Sequence, residues 1–482
     1  MGNDILNEVI DSDRIWRIET HGIDAIEEAE RHGKPHELFW IWFAANIGLL
    51  AVTYGSFLIV FFGLNLWQVI IVTILGVGIS FALVGLVGLA GKRGGAPTLV
   101  LSRAAFGVFG NALPTLVSYL TLVGFETVGV CLAALATQSV LAELGLARGN
   151  QSLAIAFILI VLVSISISLL GHATIVEIQK WFTVAFSLLT VVFIILTFRE
   201  IDFQKLLAYQ GSASAGTIIA ALSFVIAGTG LTWASVGADY TRYLPKSISS
   251  GSIIFWTIFG SLLPLFILIV FGAMLSVTHR SLATTSNPIG ALAAALPSWF
   301  LIPYMVTAAG GIVAEVLLAS YSGGLNLLTM GLRVARYKSI VVDALLMLAG
   351  SVYILFFAPS FFAPFDGFLL TIGTLLAAWV GVFLLDLLNR KSYDTASLYN
   401  PRLHYGSINP AGVIAFVLGS IVGLGLVAST SPIFSWTGYL LGVVGGKNGL
   451  VAVGNLGLIV AILISGLTYA SLNKILTSKK VK

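Results

Sequence analysis

The sequence predicts an all-α polytopic membrane protein of about 12 transmembrane helices. Three observations carry that expectation. Hydrophobic residues make up 58% of 482 and charged ones only 10%, with a mean hydropathy of +1.00. About a dozen apolar runs, each long enough to cross a bilayer, follow one another from Phe39 to Leu472. The basic residues also sort by loop once the N-terminus is set in the cytoplasm and the loops are counted alternately. The inner segments then hold Arg14, Arg17, Arg31 and Lys34; Lys92, Arg93 and Arg103; Arg242 and Lys246; Arg333, Arg336 and Lys338; Arg390, Lys391 and Arg402; and Lys474, Lys479, Lys480 and Lys482. The outer segments hold only Arg148, Arg199, Lys205, Arg280 and Lys447, while Lys180 falls inside a predicted span. That bias satisfies the positive-inside rule, sets both termini in the cytoplasm, and supports the span count, since one missed helix would scramble the alternation.

Taken in order, residues 1–38 read as a polar cytoplasmic segment, with Glu27, Glu28 and Glu30 in a short helix and no signal peptide before the first run. The predicted spans are 39–62, 67–91, 113–142, 152–170, 173–198, 215–238, 251–276, 298–330, 339–358, 361–388, 410–428 and 449–472. The third and eighth exceed one crossing, which implies tilt. Residues 39–388 thus form a ten-helix core, 389–409 a cytoplasmic linker, 410–472 two terminal helices and 473–482 a basic cytoplasmic tail. The stretch Gly91 to Pro97 has the look of a phosphate loop, but lacks its Gly-Lys-Ser/Thr ending and a preceding strand, so it reads as an inner turn.

Composition excludes several functions. The net charge of +4 and pI near 9.0 come from anchoring residues near anionic lipid and do not point to nucleic acid. The single cysteine, Cys131, lies in an apolar run, so an internal disulfide is impossible and a metal cluster is not expected. No extramembrane stretch is large enough for a catalytic domain. There is no His-Glu-x-x-His run and no Gly-x-Ser-x-Gly elbow, and the six histidines lie mostly in loops, so neither an enzyme nor a cofactor is expected.

Two spans carry interruptions at corresponding places. In the first, Trp42-Phe-Ala-Ala-Asn-Ile-Gly48 puts Asn46 and a glycine at mid-membrane; in the sixth, Ala227-Gly-Thr-Gly-Leu-Thr-Trp233 does so with Gly228 and Gly230. The two lie five spans apart and therefore run in opposite directions. An inverted five-helix repeat with a substrate site at unwound helix midpoints has this pattern. Freed backbone groups in hydrocarbon are costly unless a ligand, ion or water pairs with them. The alternative is that these glycines only permit close helix packing.

Ionisable groups within spans point to function. Glu126, in Gly124-Phe-Glu-Thr-Val-Gly129, has no basic residue within a helical turn, and reads as a ligand for a polar substrate or a proton carrier, or else as a hydrogen-bonded structural group. Glu315 is a similar candidate. Asp239, three residues before Arg242 at the inner end of span six, reads as structural or as part of a gate, and Glu177 and Gln179 at the start of span five as a gate or a salt-bridged interface. Phe125 and Trp233 stand near the interruptions, where ring faces suit a flat heterocycle. In span eight, Ser320-Tyr-Ser-Gly-Gly-Leu-Asn326 gathers hydroxyls, glycines and an amide, fit for cation ligands and directional hydrogen bonds or for small-residue packing.

With these residues in view the chain resembles the nucleobase:cation symporter-1 (NCS1) family, in its purine–cytosine permease branch. The likeness runs from about Gly33 to the linker after Asp386. It rests on Phe39–Asn46, on Gly95–Gly107 followed by Gly110-Asn111, on Trp233 with Gly237–Pro245, and on Trp379–Asp386. The resemblance implies a five-plus-five inverted repeat of LeuT-like, APC type with two extra C-terminal helices. It implies Phe125 and Trp233 as the faces of a base sandwich, and Glu126 and Asn326 as readers of its edge, with Asn46, Gly228, Gly230, Ser322 and Gly323 around them. A sodium site would fall on the carbonyls of Ala44 and Ile47 and on Ser320 and Tyr321. Tyrosine is poor sodium geometry, and Glu126 stands where the family's hydantoin transporter has a neutral amide, so a proton is favoured over sodium as coupling ion.

The expected function is import of purines or cytosine with a cation across the plasma membrane. The expected partners are a nucleobase-like small molecule and the bilayer, with no nucleic acid. Allantoin, hydantoin, thiamine or another vitamin are the alternatives within the class. A channel, a sensor that binds without transporting, and a membrane enzyme are the alternatives outside it.

Overall fold

The computed structural model of the chain describes residues 22–146, 149–168, 172–285, 287–331, 336–358 and 361–480. Every regular element among them is a helix. The first apolar run is two helices, α1 (Glu37–Asn46) and α2 (Leu49–Val60), meeting at a 61° bend. Then come α3 (Leu66–Gly94), the short α4 (Thr98–Phe106), α5 (Ala112–Glu143), α6 (Gly149–Ser168) and α7 (His172–Thr197). The sixth run starts as α8 (Ala215–Ile226), and is followed by α9 (Ser250–Thr278), α10 (Ser298–Thr329), α11 (Arg336–Phe356), α12 (Phe362–Asn389), α13 (Pro410–Gly425) and α14 (Gly457–Lys480). Among the described residues eight segments are long and apolar enough to span a bilayer, or nine with the bent pair, and Gly149–Ser164, Val341–Phe356 and Pro410–Gly425 are shorter apolar helices. Each falls on one of the predicted runs.

Two boundaries differ from expectation. The last span starts at Gly457, because Asn455 adopts a left-handed φ of 48° after the short helix Leu450–Val453 and breaks the run begun at 449. The acidic Glu27–Glu30 stretch makes only one 3₁₀ turn, Glu28–Glu30. The Arg31 guanidinium there donates to the carbonyls of Ile26 and, at 2.7 Å, Lys92, which fastens the chain across the C-terminal end of α3. Lys246 donates its backbone N–H to Glu28 and places its ammonium 3.1 Å from the same carboxylate, holding that exposed group below its usual range. The turn at Gly95 (φ +69°) closes α3, and a side chain there would meet the Ile26 carbonyl at 2.6 Å.

The apolar side chains that lie outside the bundle, such as Ile71, Leu75 and Ile79 on α3, mark the lipid face. The helices enclosed most by protein are α5 and α12 at 78% and the sixth span at 72%, against 28% for α14. Backbones approach closely where small residues meet. A Cβ on Gly55 of α2 would lie 1.9 Å from the Ile269 carbonyl of α9, and one on Gly272 of α9 would lie 2.1 Å from the Val52 carbonyl. Glycine at such a contact gives the packing that membrane helices need in place of a hydrophobic drive. These contacts clamp α9 against the bent first span and fix where its break sits.

Candidate functional site

Both interruptions read in the sequence are real breaks. After Asn46 the helix ends with Ile47 (φ −90°, ψ 95°) and Gly48 (φ −160°, ψ 165°), both extended, before α2 restarts. The sixth span leaves helical geometry at Thr229 (φ −119°, ψ −110°), within a wide turn Ala227–Leu231, and resumes as a 3₁₀ turn Ala234–Val236. Freed backbone groups are partly satisfied by neighbours, as hydrocarbon requires. The Tyr54 hydroxyl of α2 donates to the Gly228 carbonyl at 2.7 Å, so one broken helix ties the other. The Ser80 hydroxyl of α3 accepts from the Gly230 N–H at 3.1 Å and lies 3.0 Å from the Thr229 hydroxyl.

A cavity opens beside the two breaks, lined by Gly48, Phe125, Gly129, Trp233, Ile312 and Glu315 among others. Its free volume is about 20 Å³, room for a water molecule. The Phe125 and Trp233 rings face one another with centroids 6.4 Å apart and planes inclined by 34°. Trp233 is braced edge-on by Trp42 at 6.0 Å, and Phe125 by Phe368 at 6.0 Å. A Cβ on Gly124 would strike that Phe368 ring at 2.1 Å, so the glycine before Phe125 makes room for its support. The carboxyl in this wall is that of Glu315, within electrostatic reach of Tyr54. The cavity is thus a narrow, mostly apolar slot between two ring faces, with one acidic side chain in its wall.

The other residues singled out in the sequence take varied places. Glu126 does not line the slot: it follows Phe125 in one helix, so its side chain leaves about 100° away, buried beside Asp343 of α11 and the Ser320 hydroxyl. Asn326 donates to the Ser118 hydroxyl at 2.8 Å, and Ser118 to that of Ser235 at 2.8 Å, a chain joining α10, α5 and the sixth span. The Asn46 amide is turned back to the Trp42 carbonyl at 2.7 Å and towards Ser261 of α9. Gly228 lies against Tyr54 and Leu369, and Gly230 against the Ser80–Phe81 backbone. Ser322 is fully buried facing Asp239 and Tyr240, while Gly323 borders Glu126 and Asp343.

Ala44 and Ile47 flank the first break, half-buried. Ser320 stands by Glu126, and the Tyr321 hydroxyl accepts from the Arg242 guanidinium at 3.3 Å. The Asp239 carboxylate accepts from the Thr98 N–H and hydroxyl at 2.7 and 2.8 Å and so caps α4. Glu177 and Gln179 lie outside the residues whose side chains are described. Sequence reasoning missed Asp343, Tyr119 and Tyr54. An aspartate seven residues into a helix that continues apolar is the signal that marked the first of these.

A helical membrane bundle with two spans broken beside one aromatic-walled slot defines a secondary transporter. The chain belongs to the family of permeases for cytosine/purines, uracil, thiamine and allantoin, whose model matches residues 25–446. It is therefore a multi-pass permease of the nucleobase–cation symporter family and not an enzyme. It is 25% identical over 426 residues to YxlA of Bacillus subtilis (strain 168), named as a purine-cytosine permease, covering 84% of this chain and 87% of that one. To the purine-cytosine permease FCY21 of Saccharomyces cerevisiae it is 26% identical over 432 residues, covering 84% and 79%.

Its fold is that of Mhp1, a nucleobase-cation-symport-1 family transporter. The inward-facing form superposes with a TM-score of 0.71 at 17% identity, over 95% of this chain and 96% of that one. The closed form with bromovinylhydantoin bound gives 0.70 at 17% identity, over 94% and 96%.

Proposed function

We propose that this permease imports purine bases or cytosine together with a proton across the plasma membrane, with both termini in the cytoplasm. The observation that carries the reading is the Phe125–Trp233 slot at the two helix breaks. Ring faces hold a planar heterocycle without regard to its substituents, and a wall carboxyl selects among them by accepting their N–H donors. In this reading Glu315 takes the edge-reading part that the family resemblance implies for Glu126, and Asn326 orders the helices around the slot. The purine–cytosine choice is supported by the names of the relatives, YxlA and FCY21.

The choice of a proton is supported by Tyr321, whose phenol is engaged by Arg242. That leaves a sodium site on Ala44, Ile47, Ser320 and Tyr321 short of one hydroxyl ligand. Transport follows by rocking of α1–α3, the sixth span and α9 against a scaffold of α5, α6, α10 and α11. The ten helices of residues 39–388 form two inverted halves, and the two terminal helices lie outside that exchange. Thiamine is the second reading, because a cationic ring gains contact with the aromatic faces and with the carboxyl oxygens of Glu315 beside them.

The test is uptake of radiolabelled adenine, hypoxanthine and cytosine by cells lacking their own base permeases, with excess unlabelled thiamine in a parallel series. Saturable uptake that a protonophore abolishes and sodium leaves unchanged supports the proposal. Failure to take up any of the three bases, or uptake that requires sodium, refutes it.

A further inference from the structure

The slot uses Glu315 and leaves two buried carboxyl groups, Glu126 and Asp343, without a part in base binding. Resting on the reading of the chain as a proton-coupled importer, we propose that these two groups, facing one another across Gly323, bind and relay the co-transported proton at a site separate from the base.

Three helices meet there. Glu126 Oε1 of α5 and Asp343 Oδ2 of α11 lie 3.8 and 3.4 Å from the one point where a Cβ on Gly323 of α10 would sit. The absence of a side chain on Gly323 leaves both oxygens bordering the same space. Glu126 is 1% exposed and Asp343 2%, and among the described residues no charged group compensates either carboxyl: the polar neighbours are the Ser320 hydroxyl beside Glu126 and the Tyr119 hydroxyl beside Asp343. A second, independent group points to the same place. The Tyr119 hydroxyl of α5, in a residue 4% exposed, lies against the Asp343 carboxyl.

The groups facing the pair are few. Tyr119 comes from α5 and Ser320 from α10, and no lysine, arginine or histidine among the described residues stands beside either carboxyl. The facing helix α6 carries no charged residue, and α12 carries Asp366 and Asp386 near its ends. Glu315 lies eight residues before Gly323, about 12 Å along α10 at the usual helical rise, on the slot. Two negative charges enclosed without a cation are costly in a bilayer, and one proton on the pair removes half that charge.

The step balances simply. A proton from outer water bonds to a carboxyl oxygen of Glu126; that O–H breaks as one forms on Asp343; the proton then passes to cytoplasmic water. One positive charge crosses with each neutral base. Tyr119 precedes Glu126 by seven residues, about 10 Å along α5. Its neighbour Asp343 is thus the group nearer the cytoplasmic end under the proposed orientation.

The experiment uses the full chain in liposomes with radiolabelled adenine and cytosine. With one proton per base, a gradient of about one pH unit supports about tenfold accumulation. The wild type is expected to reach that ratio without sodium. Asp343→Asn is expected only to equalise the base across the membrane, while still exchanging internal for external base at equal pH. A second readout needs no transport: the infrared difference spectrum between acid and alkaline buffer should contain a protonated-carboxyl band that the E126Q/D343N double variant loses. Should the carboxyl variants not fold, Gly323→Ala replaces them. Its methyl would meet both oxygens at ordinary contact distance, and it is expected to lower accumulation severalfold.

Tenfold accumulation by Asp343→Asn, accumulation driven by a sodium gradient alone, or a carboxyl band unchanged in the double variant would each overturn the relay. A wild type that moves neither base would sink the proposed substrate instead, and the infrared band would still decide the carboxyl pair.

Discussion

Replacing Phe125 by alanine removes one face of the slot. The rings stand 6.4 Å apart at 34°, whereas a planar ring held at van der Waals distance from both needs about 7 Å and near-parallel faces. The walls must therefore part by about half an ångström and flatten, a movement that Trp42 and Phe368 can brace from behind. Stacking of a base on one aromatic ring is worth about 1–3 kcal/mol by alanine substitution, which predicts a rise in KM of about 5–150-fold. Phe125 is only half-buried, so the folded state should survive, and size-exclusion profiles in detergent would verify that. Phe125→Trp keeps a face and should stay near the wild-type KM. Concentration-dependent uptake of labelled adenine and cytosine is the assay. Phe125→Ala with an unaltered KM would refute the stacking argument.

Two further substitutions test the broken helices. Tyr54→Phe deletes the donor to the Gly228 carbonyl, leaving a buried acceptor unmatched at about 1–3 kcal/mol; the thermal midpoint of the solubilised protein should fall, and an unchanged midpoint would contradict the tie between the breaks. Gly230→Ala would set a Cβ 2.5–2.7 Å from the Ser80 and Phe81 backbone, and little folded protein should be recovered. By contrast Gly48→Ala, whose Cβ meets nothing within 4 Å, should fold and project a methyl into the slot. Equal yields of the two alanine variants would show that the close contact at Gly230 is absent.

The spans and both breaks were legible because hydrophobic length and mid-span glycines are local properties of the chain. What each break residue touches is not local. Gly228 and Gly230 look alike in sequence, yet one carbonyl is held by Tyr54 and the other glycine is wedged on α3. Phe125 and Glu126 are successive helical residues, so the phase of α5 separates them, and Phe125, Val128, Gly129 and Leu132 line the slot at helical spacing. Glu315 was visible as an acid in an apolar run, but its place at the slot depends on how α10 rotates against α5. Asp343 lies inside the predicted span 339–358, close to the basic start of its helix, and its place beside Glu126 depends on how α11 packs on α5 and α10. The turn of Tyr321 towards Arg242 is a tertiary contact between residues 79 apart, and nothing in the local sequence encodes it.

An experimental density map of the protein in lipid, saturated with adenine, would show whether the base occupies the slot. The purine ring is expected between Phe125 and Trp233, with a ring or amino N–H directed at Glu315. Density for the base anywhere else in the bundle, with that slot still closed, would contradict that placement.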